Sequence, residues 1–196
     1  RARGYAPLPV LLARAVPPLL AVGAHLKNAP AFANGTAAFV NAHVGDLETS
    51  QAVAAFQAAC RDLPALYGTA PAAVACDLHP DYASTRHAAA SGRRVVPVQH
   101  HAAHVLACVA ENQLAGPVLG VAWDGTGYGP DGTVWGGEFL RVEGGAWERV
   151  AHLRTFPLPG GDRAAVEPRR AALGLLFELL GPDALIRDDL PPLASF

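Results

Sequence analysis

The sequence has no methionine and three cysteines in 196 residues. Cys60, Cys76 and Cys108 are an odd set at wide spacing, with no CxxC pair for zinc or redox chemistry; they read as small buried hydrophobes on apolar elements. Charge is also sparse: 16% of residues are charged and the net charge is −2. The 15 basic residues are spread thinly, so the electrostatic footprint that binds a phosphate backbone is missing and nucleic acid is not an expected partner. No long apolar run exists either. Residues 16–23 are apolar but short and contain Pro17 and Pro18, too little to cross a hydrocarbon core of ~30 Å. Residues 11–22 are broken by Arg14 and the same prolines, which argues against a secretory leader. The expected location is the cytoplasm, with no membrane partner. The missing methionine, the start at Arg1 and the stop after the proline-rich residues 190–193 lead us to expect that both ends are cuts.

What is present is apolar material, 51% of the chain, enough for one or two cores and against disorder of the whole. Residues 1–17 show neither period and read as a linker or the tail of a preceding domain. From Leu19 an apolar run reads as a strand, and Asn34-Gly35 between apolar residues is a hairpin signal. Residues 46–49 offer helix caps before a segment in which Val53, Phe56 and Cys60 share a helical face. Then come a short strand ending in DLH, a short helix from DYASTRH, a strand RVVPVQ and a helix from HHAAH. After Pro117 the scheme recurs: a buried strand, a Gly-rich turn, two further strands and a helix from EPRR. Two meanders of three strands followed by helices predict a duplicated, two-lobed α/β architecture with a mixed sheet.

Two constellations carry chemistry. His100 and His104 stand at i and i+4 where a strand meets a helix, so both imidazoles can face one cation; taken alone, the pair also reads as two half-exposed histidines at a helix start. Asp124, at the end of a buried strand, is a hard oxygen ligand. The following Gly125, Thr126 and Gly127 let a backbone approach an anion and cradle phosphate oxygens, although a Gly-rich hairpin capped by Asp124 is the plainer alternative. Weaker candidates are Asp77, His79 and Asp81 at a strand exit, where open α/β sheets bind ligands, and Lys27 and Asn28, which can meet a nucleotide phosphate or decorate a turn. FPLPGGD and EPRR read as a shaped loop and a helix start.

In order, ARGYAPLP, AVGAHLKN, HVGDLET, DLHPDYASTR, VQHHAAH, AWDGTGYGPDGTVWGGEFL, FPLPGGD and EPRR resemble the successive motifs of the HypF family, the carbamoyltransferases of nickel–iron hydrogenase maturation. The resemblance implies an actin-like ATPase (ribonuclease H-like) duplicated fold. Residues 1–15 resemble the end of a YrdC-like domain and linker, residues 16–115 the first lobe of a TsaD-like domain, and residues 116–196 the start of its second lobe, cut short. It implies carbamoyl transfer from carbamoyl-adenylate, made by the YrdC-like domain, to the C-terminal cysteine of HypE, where dehydration yields a cyanide ligand. His100, His104 and Asp124 then match catalytic metal ligands for iron or zinc. Lys27, Asn28, Gly125, Thr126 and Gly127 match residues binding ATP or carbamoyl-adenylate, with magnesium as an additional cation. A second Gly-rich loop is expected beyond Phe196, so the piece alone is expected to be inactive.

Three positions depart from the family pattern: His25 stands where Glu is usual, Ala102 where a third His is usual, and Arg169 where Trp is usual. Ala102 should leave the His pair intact, because helical spacing points it elsewhere, whereas His25 exchanges an acid for an imidazole. Two other functions compete. An O-carbamoyltransferase of the same fold shares the metal pair and phosphate loops, although RGYAP and DLHPDY favour HypF. A metal-binding structural remnant without turnover is the non-enzyme alternative. The tRNA threonylcarbamoyl-transfer relative is disfavoured by the lack of a basic surface.

Overall fold

A long strand, β1 (Val10–Ala21), pairs antiparallel with β2 (Ala31–Val40) and parallel with β3 (Ala73–Asp77), which pairs parallel with β4 (Arg94–Val98). The sheet order is β2-β1-β3-β4. The computed structural model describes residues 8–187 and 189. RGYAP, at residues 3–7, and the proline-rich residues 190–193 lie outside the described residues. Parallel neighbours need a crossover, and helices α1 (Ser50–Leu66) and α2 (Ala83–Ala89) provide the two between β2, β3 and β4. Among the expected caps, Thr49 caps α1, its hydroxyl accepting from the Ala52 N–H at 3.1 Å. Phe56 and Cys60 of α1 and Ala88 of α2 close over Leu20, Val22, Val74 and Cys76 of the sheet.

Helix α3 (His100–Glu111) follows β4 directly, with Gln99 as its cap. It turns Ala102 and Val105 into a second core with Ala122, Trp135, Leu140 and Val142. These come from β5 (Val118–Ala122), a two-stranded ribbon of β6 (Gly127–Tyr128) and β7 (Val134–Trp135), and β8 (Glu138–Glu143), with β9 (Ala146–His152) completing the order β5-β8-β9. Gly120 lets helix and sheet touch: a Cβ there would lie 2.2 Å from Val105 Cγ1.

The chain divides into two compact units, residues 1–151 and 152–196. In the second, α4 (Arg163–Val166) precedes α5 (Pro168–Leu180) and a 3-10 turn, Gly181–Ile186. The expected helix start at EPRR is present, with Pro168 in its first turn. Glu167 pairs with Arg163, Arg169 and Arg170. FPLPGGD packs against α5, where a Cβ on Gly174 would lie 1.9 Å from the Pro157 carbonyl oxygen.

Four expectations change. Residues 10–17 are not linker but the first half of β1; its register slips between Leu11 and Val16 and again before Leu19, irregularities of the kind that admit prolines into a strand. Asn34-Gly35 is not a hairpin turn. It lies inside β2, with Gly35 at φ +59° opposite Val16 at one of those slips, so the positive φ serves a bulge. The third strand of the first meander is reduced to an isolated bridge, Asn28 to Gly45. Cys60 and Cys76 are buried as expected, but Cys108 faces solvent on α3. Among the described residues, no helix is long and apolar enough to cross a membrane.

Candidate metal centre

The ends of three elements meet above the first sheet. β3 finishes at Asp77, α3 begins at His100, and β5 finishes two residues before Asp124. The Gln99 side chain holds the start of α3, its Oε1 accepting from the Ala102 N–H at 2.9 Å while its Nε2 stands 3.1 Å from His101 Nδ1. One helical turn then brings His104 edge-on to His100, with ring centroids 4.8 Å apart and the ring planes at 81°.

His100 Nε2 lies 3.0 Å from Asp124 Oδ2, His104 Nε2 lies 3.1 Å from the same oxygen, and the two imidazole nitrogens are 3.2 Å apart. Asp124 Oδ1 is turned away and accepts from the Gly125 N–H at 2.8 Å. On its far side, His100 Nδ1 lies 2.9 Å from Asp77 Oδ2, and Asp77 Oδ1 accepts from the His79 N–H at 2.8 Å. A neutral His100 whose Nδ1–H is donated to Asp77 presents a lone pair at Nε2. With His104 in the same tautomer, three lone-pair atoms converge, an arrangement stable only with a cation or added protons between them. Donors bound about 2.0–2.2 Å from one ion are separated by about 2.8–3.6 Å at octahedral or tetrahedral angles, and the three edges here fit. Among the described residues, His100, His104 and Asp124 form the one group of three or more His, Cys, Asp and Glu placed to hold a metal ion.

Exposure rises outward through the site: the side chains of Asp77, His100, Asp124 and His104 are 5%, 22%, 41% and 59% exposed. The hydrogen bond to Asp77 raises the His100 pKa, against the opposing effect of burial. Burial works against ionisation of Asp124, but the Gly125 N–H and the two imidazoles outweigh it and lower its pKa. Burial, and next the nearby His100, lower that of His101.

The other sequence candidates are placed less directly. Gly125 and Thr126 are exposed, with the Gly125 N–H already given to Asp124. Gly127 is buried in the β6–β7 ribbon, where a Cβ would lie 2.7 Å from the His101 ring and 2.8 Å from His100 Cβ, so the ribbon can lie against α3 only without a side chain. Lys27 is exposed at φ +50°, and its N–H donates to Asp46 Oδ1 at 2.7 Å. Asn28 is not on an exposed turn. It is buried, its amide donating to the Val22 and Ala24 carbonyls at 2.8 and 2.6 Å. His25 stacks on Tyr82, which stacks on His79, and Ala102 points into the core as expected. Asp77, a weaker candidate by its place at a strand exit, takes a role beneath His100 that the sequence does not show, because its partner lies 23 residues away.

The sequence pattern of the HypF Kae1-like domain family matches residues 14–111, and that described as carbamoyltransferase, Kae1-like domain, second subdomain, matches residues 120–191. The chain is 47% identical over 185 residues to Carbamoyltransferase HypF of Synechocystis sp. (strain ATCC 27184 / PCC 6803 / Kazusa), covering 93% of this chain and 24% of that protein. It is 49% identical over 183 residues to Carbamoyltransferase HypF2 of Cupriavidus necator, covering 91% and 23% respectively. A crystal structure of full-length HypF in a phosphate- and nucleotide-bound form superposes with a TM-score of 0.84 at 41% identity, covering 89% of this chain and 23% of that one. The chain thus spans about a quarter of the length of these relatives, and its mixed α/β architecture is part of an actin-like, ribonuclease H-like fold. With its two segments matching the two Kae1-like patterns in order, the chain belongs to the HypF carbamoyltransferase family.

Proposed function

We propose that this chain contributes the cation-binding half of a carbamoyl-transfer centre, acting on carbamoyl-adenylate and delivering the carbamoyl group to the C-terminal cysteine of HypE on the way to a hydrogenase cyanide ligand. The observation that carries the reading is the triangle of His100 Nε2, His104 Nε2 and Asp124 Oδ2, backed by Asp77. Two imidazoles and a carboxylate suit iron or zinc. Such a cation supplies Lewis acidity for a carbonyl or phosphoryl oxygen when bound.

The chain's own residues do the rest. Asp77 keeps the His100 proton on Nδ1, so Nε2 stays a ligand rather than a donor. The exposed edge formed by His104 and Asp124 admits the substrate, while the closed edge at Asp77 keeps the imidazole from turning. Gly127, free of a side chain, brings the ribbon up to His100 and His101, which fits a role for residues 125–127 beside an adenylate phosphate. Lys27 supplies a second exposed cation for that anion, whereas the amide of Asn28 serves its own loop.

The test uses the full-length parent enzyme. His100→Ala should leave carbamoyl-phosphate-dependent exchange between ATP and pyrophosphate nearly intact, since that step is assigned to the YrdC-like domain. It should abolish formation of thiocarboxamide on HypE, read by mass spectrometry. A normal carbamoyl adduct on HypE would remove the histidine pair from the mechanism. Loss of both activities calls for the milder His100→Gln, read in the same way.

A further inference from the structure

The second sheet buries a charge that touches none of the three proposed cation ligands. Glu138 is 0% exposed, in a layer otherwise made of Trp135, Leu140 and Val142. A buried ion pair adds little net stability over apolar side chains of the same volume, so stability alone is a poor reason for its presence. Arg149 grips the carboxylate with both arms of its fork, Nε to Oε2 at 2.6 Å and Nη2 to Oε1 at 2.9 Å, and its guanidinium lies 4.0 Å from the centroid of the Trp135 ring. The same Oε1 accepts from the Gly136 N–H at 2.9 Å. Gly136 in turn lies against the backbone of the ligand loop: a Cβ there would stand 2.3 Å from the Gly125 carbonyl oxygen and 3.4 Å from that of Asp124. Glu138 is also the register partner of Ala122, the last residue of β5 before the loop that carries Asp124.

We propose that the Glu138–Arg149 pair is the positioning device of the cation centre. By holding Gly136 in place, it fixes the floor on which the Asp124-Gly125 backbone rests, and so sets where the Asp124 carboxylate meets His100 and His104. Glu138 and Arg149 are positioning residues, acting through Asp124 rather than on the ion. This inference rests on the reading of His100, His104 and Asp124 as a cation site.

Replacing the pair together, Glu138→Met with Arg149→Met, removes both charges at similar volume and leaves neither one unpaired. The double variant should keep the wild-type circular dichroism and melting temperature. Its affinity for zinc, measured by calorimetry, should fall by about 10–100-fold, as for other outer partners of metal ligands, and the visible spectrum of the cobalt-loaded protein should change in intensity. Zinc affinity and cobalt spectrum both equal to wild type in the folded variant would overturn the proposal. If the double variant does not fold, Arg149→Lys keeps the charge and loses the fork: weaker zinc binding supports the role and unchanged binding overturns it. His104→Ala in the same titration separates the two claims. Zinc binding that survives His104→Ala sinks the cation site itself, whereas binding lost there and kept in the double variant sinks only the positioning role.

Discussion

Asp77 decides what His100 can do. Its carboxylate faces Nδ1 at 2.9 Å, and Asp77→Asn turns that position into an amide able to present its own N–H, which moves the ring proton to Nε2 and blocks the lone pair. Zinc affinity by calorimetry should fall about 10–100-fold, and an unchanged affinity would show that the tautomer is set elsewhere. The His100–His104 pair was legible in the sequence because helical spacing is local, and Asp124 because it ends an apolar run. Asp77 and Glu138 were not, since each gains its role from a partner over ten residues away that only the folded sheets bring near. Cys60 makes a separate prediction. Burial pushes its thiol up to about 12, above the ~8.5 of an unfolded chain. A raised folded value means that its contribution is fully present below ~8.5 and is lost as pH climbs towards 12, by at most about 1.4 kcal/mol per pH unit. Urea unfolding of wild type and Cys60→Ala should therefore differ most near neutral pH and converge above about pH 9; a difference independent of pH would contradict the assigned burial.

Among the elements, the helices were legible: α1 begins after the cap residues 46–49, and α3 and α5 begin at HHAAH and EPRR. β1 was not, because its prolines and Arg14 mask a strand whose irregular register accommodates them. Asn34-Gly35 misled for a related reason: a positive φ serves a bulge as well as a hairpin, and the sequence does not distinguish them. The β5–α3 contact is the element-scale feature that holds Asp124 near the histidines, and it depends on Gly120. Gly120→Ala would drive a methyl into Val105 and should cost about 1–3 kcal/mol in urea unfolding. Adding Val105→Ala should recover part of that loss. No loss in the single variant would mean that α3 and β5 pack less closely than described.

At the scale of the whole molecule, the chain covers about a quarter of its relatives, yet all three proposed cation ligands and their Asp77 support lie within the unit of residues 1–151. Cation binding therefore should not depend on the rest of a longer protein, even where carbamoyl transfer does. The most direct measurement is elemental analysis of the purified 196-residue chain. The account predicts close to one iron or zinc per chain in the wild type, and little or none in His100→Ala with His104→Ala at unchanged circular dichroism. Equal metal content in the folded double variant, or none in the wild type after reconstitution with either ion, would contradict it.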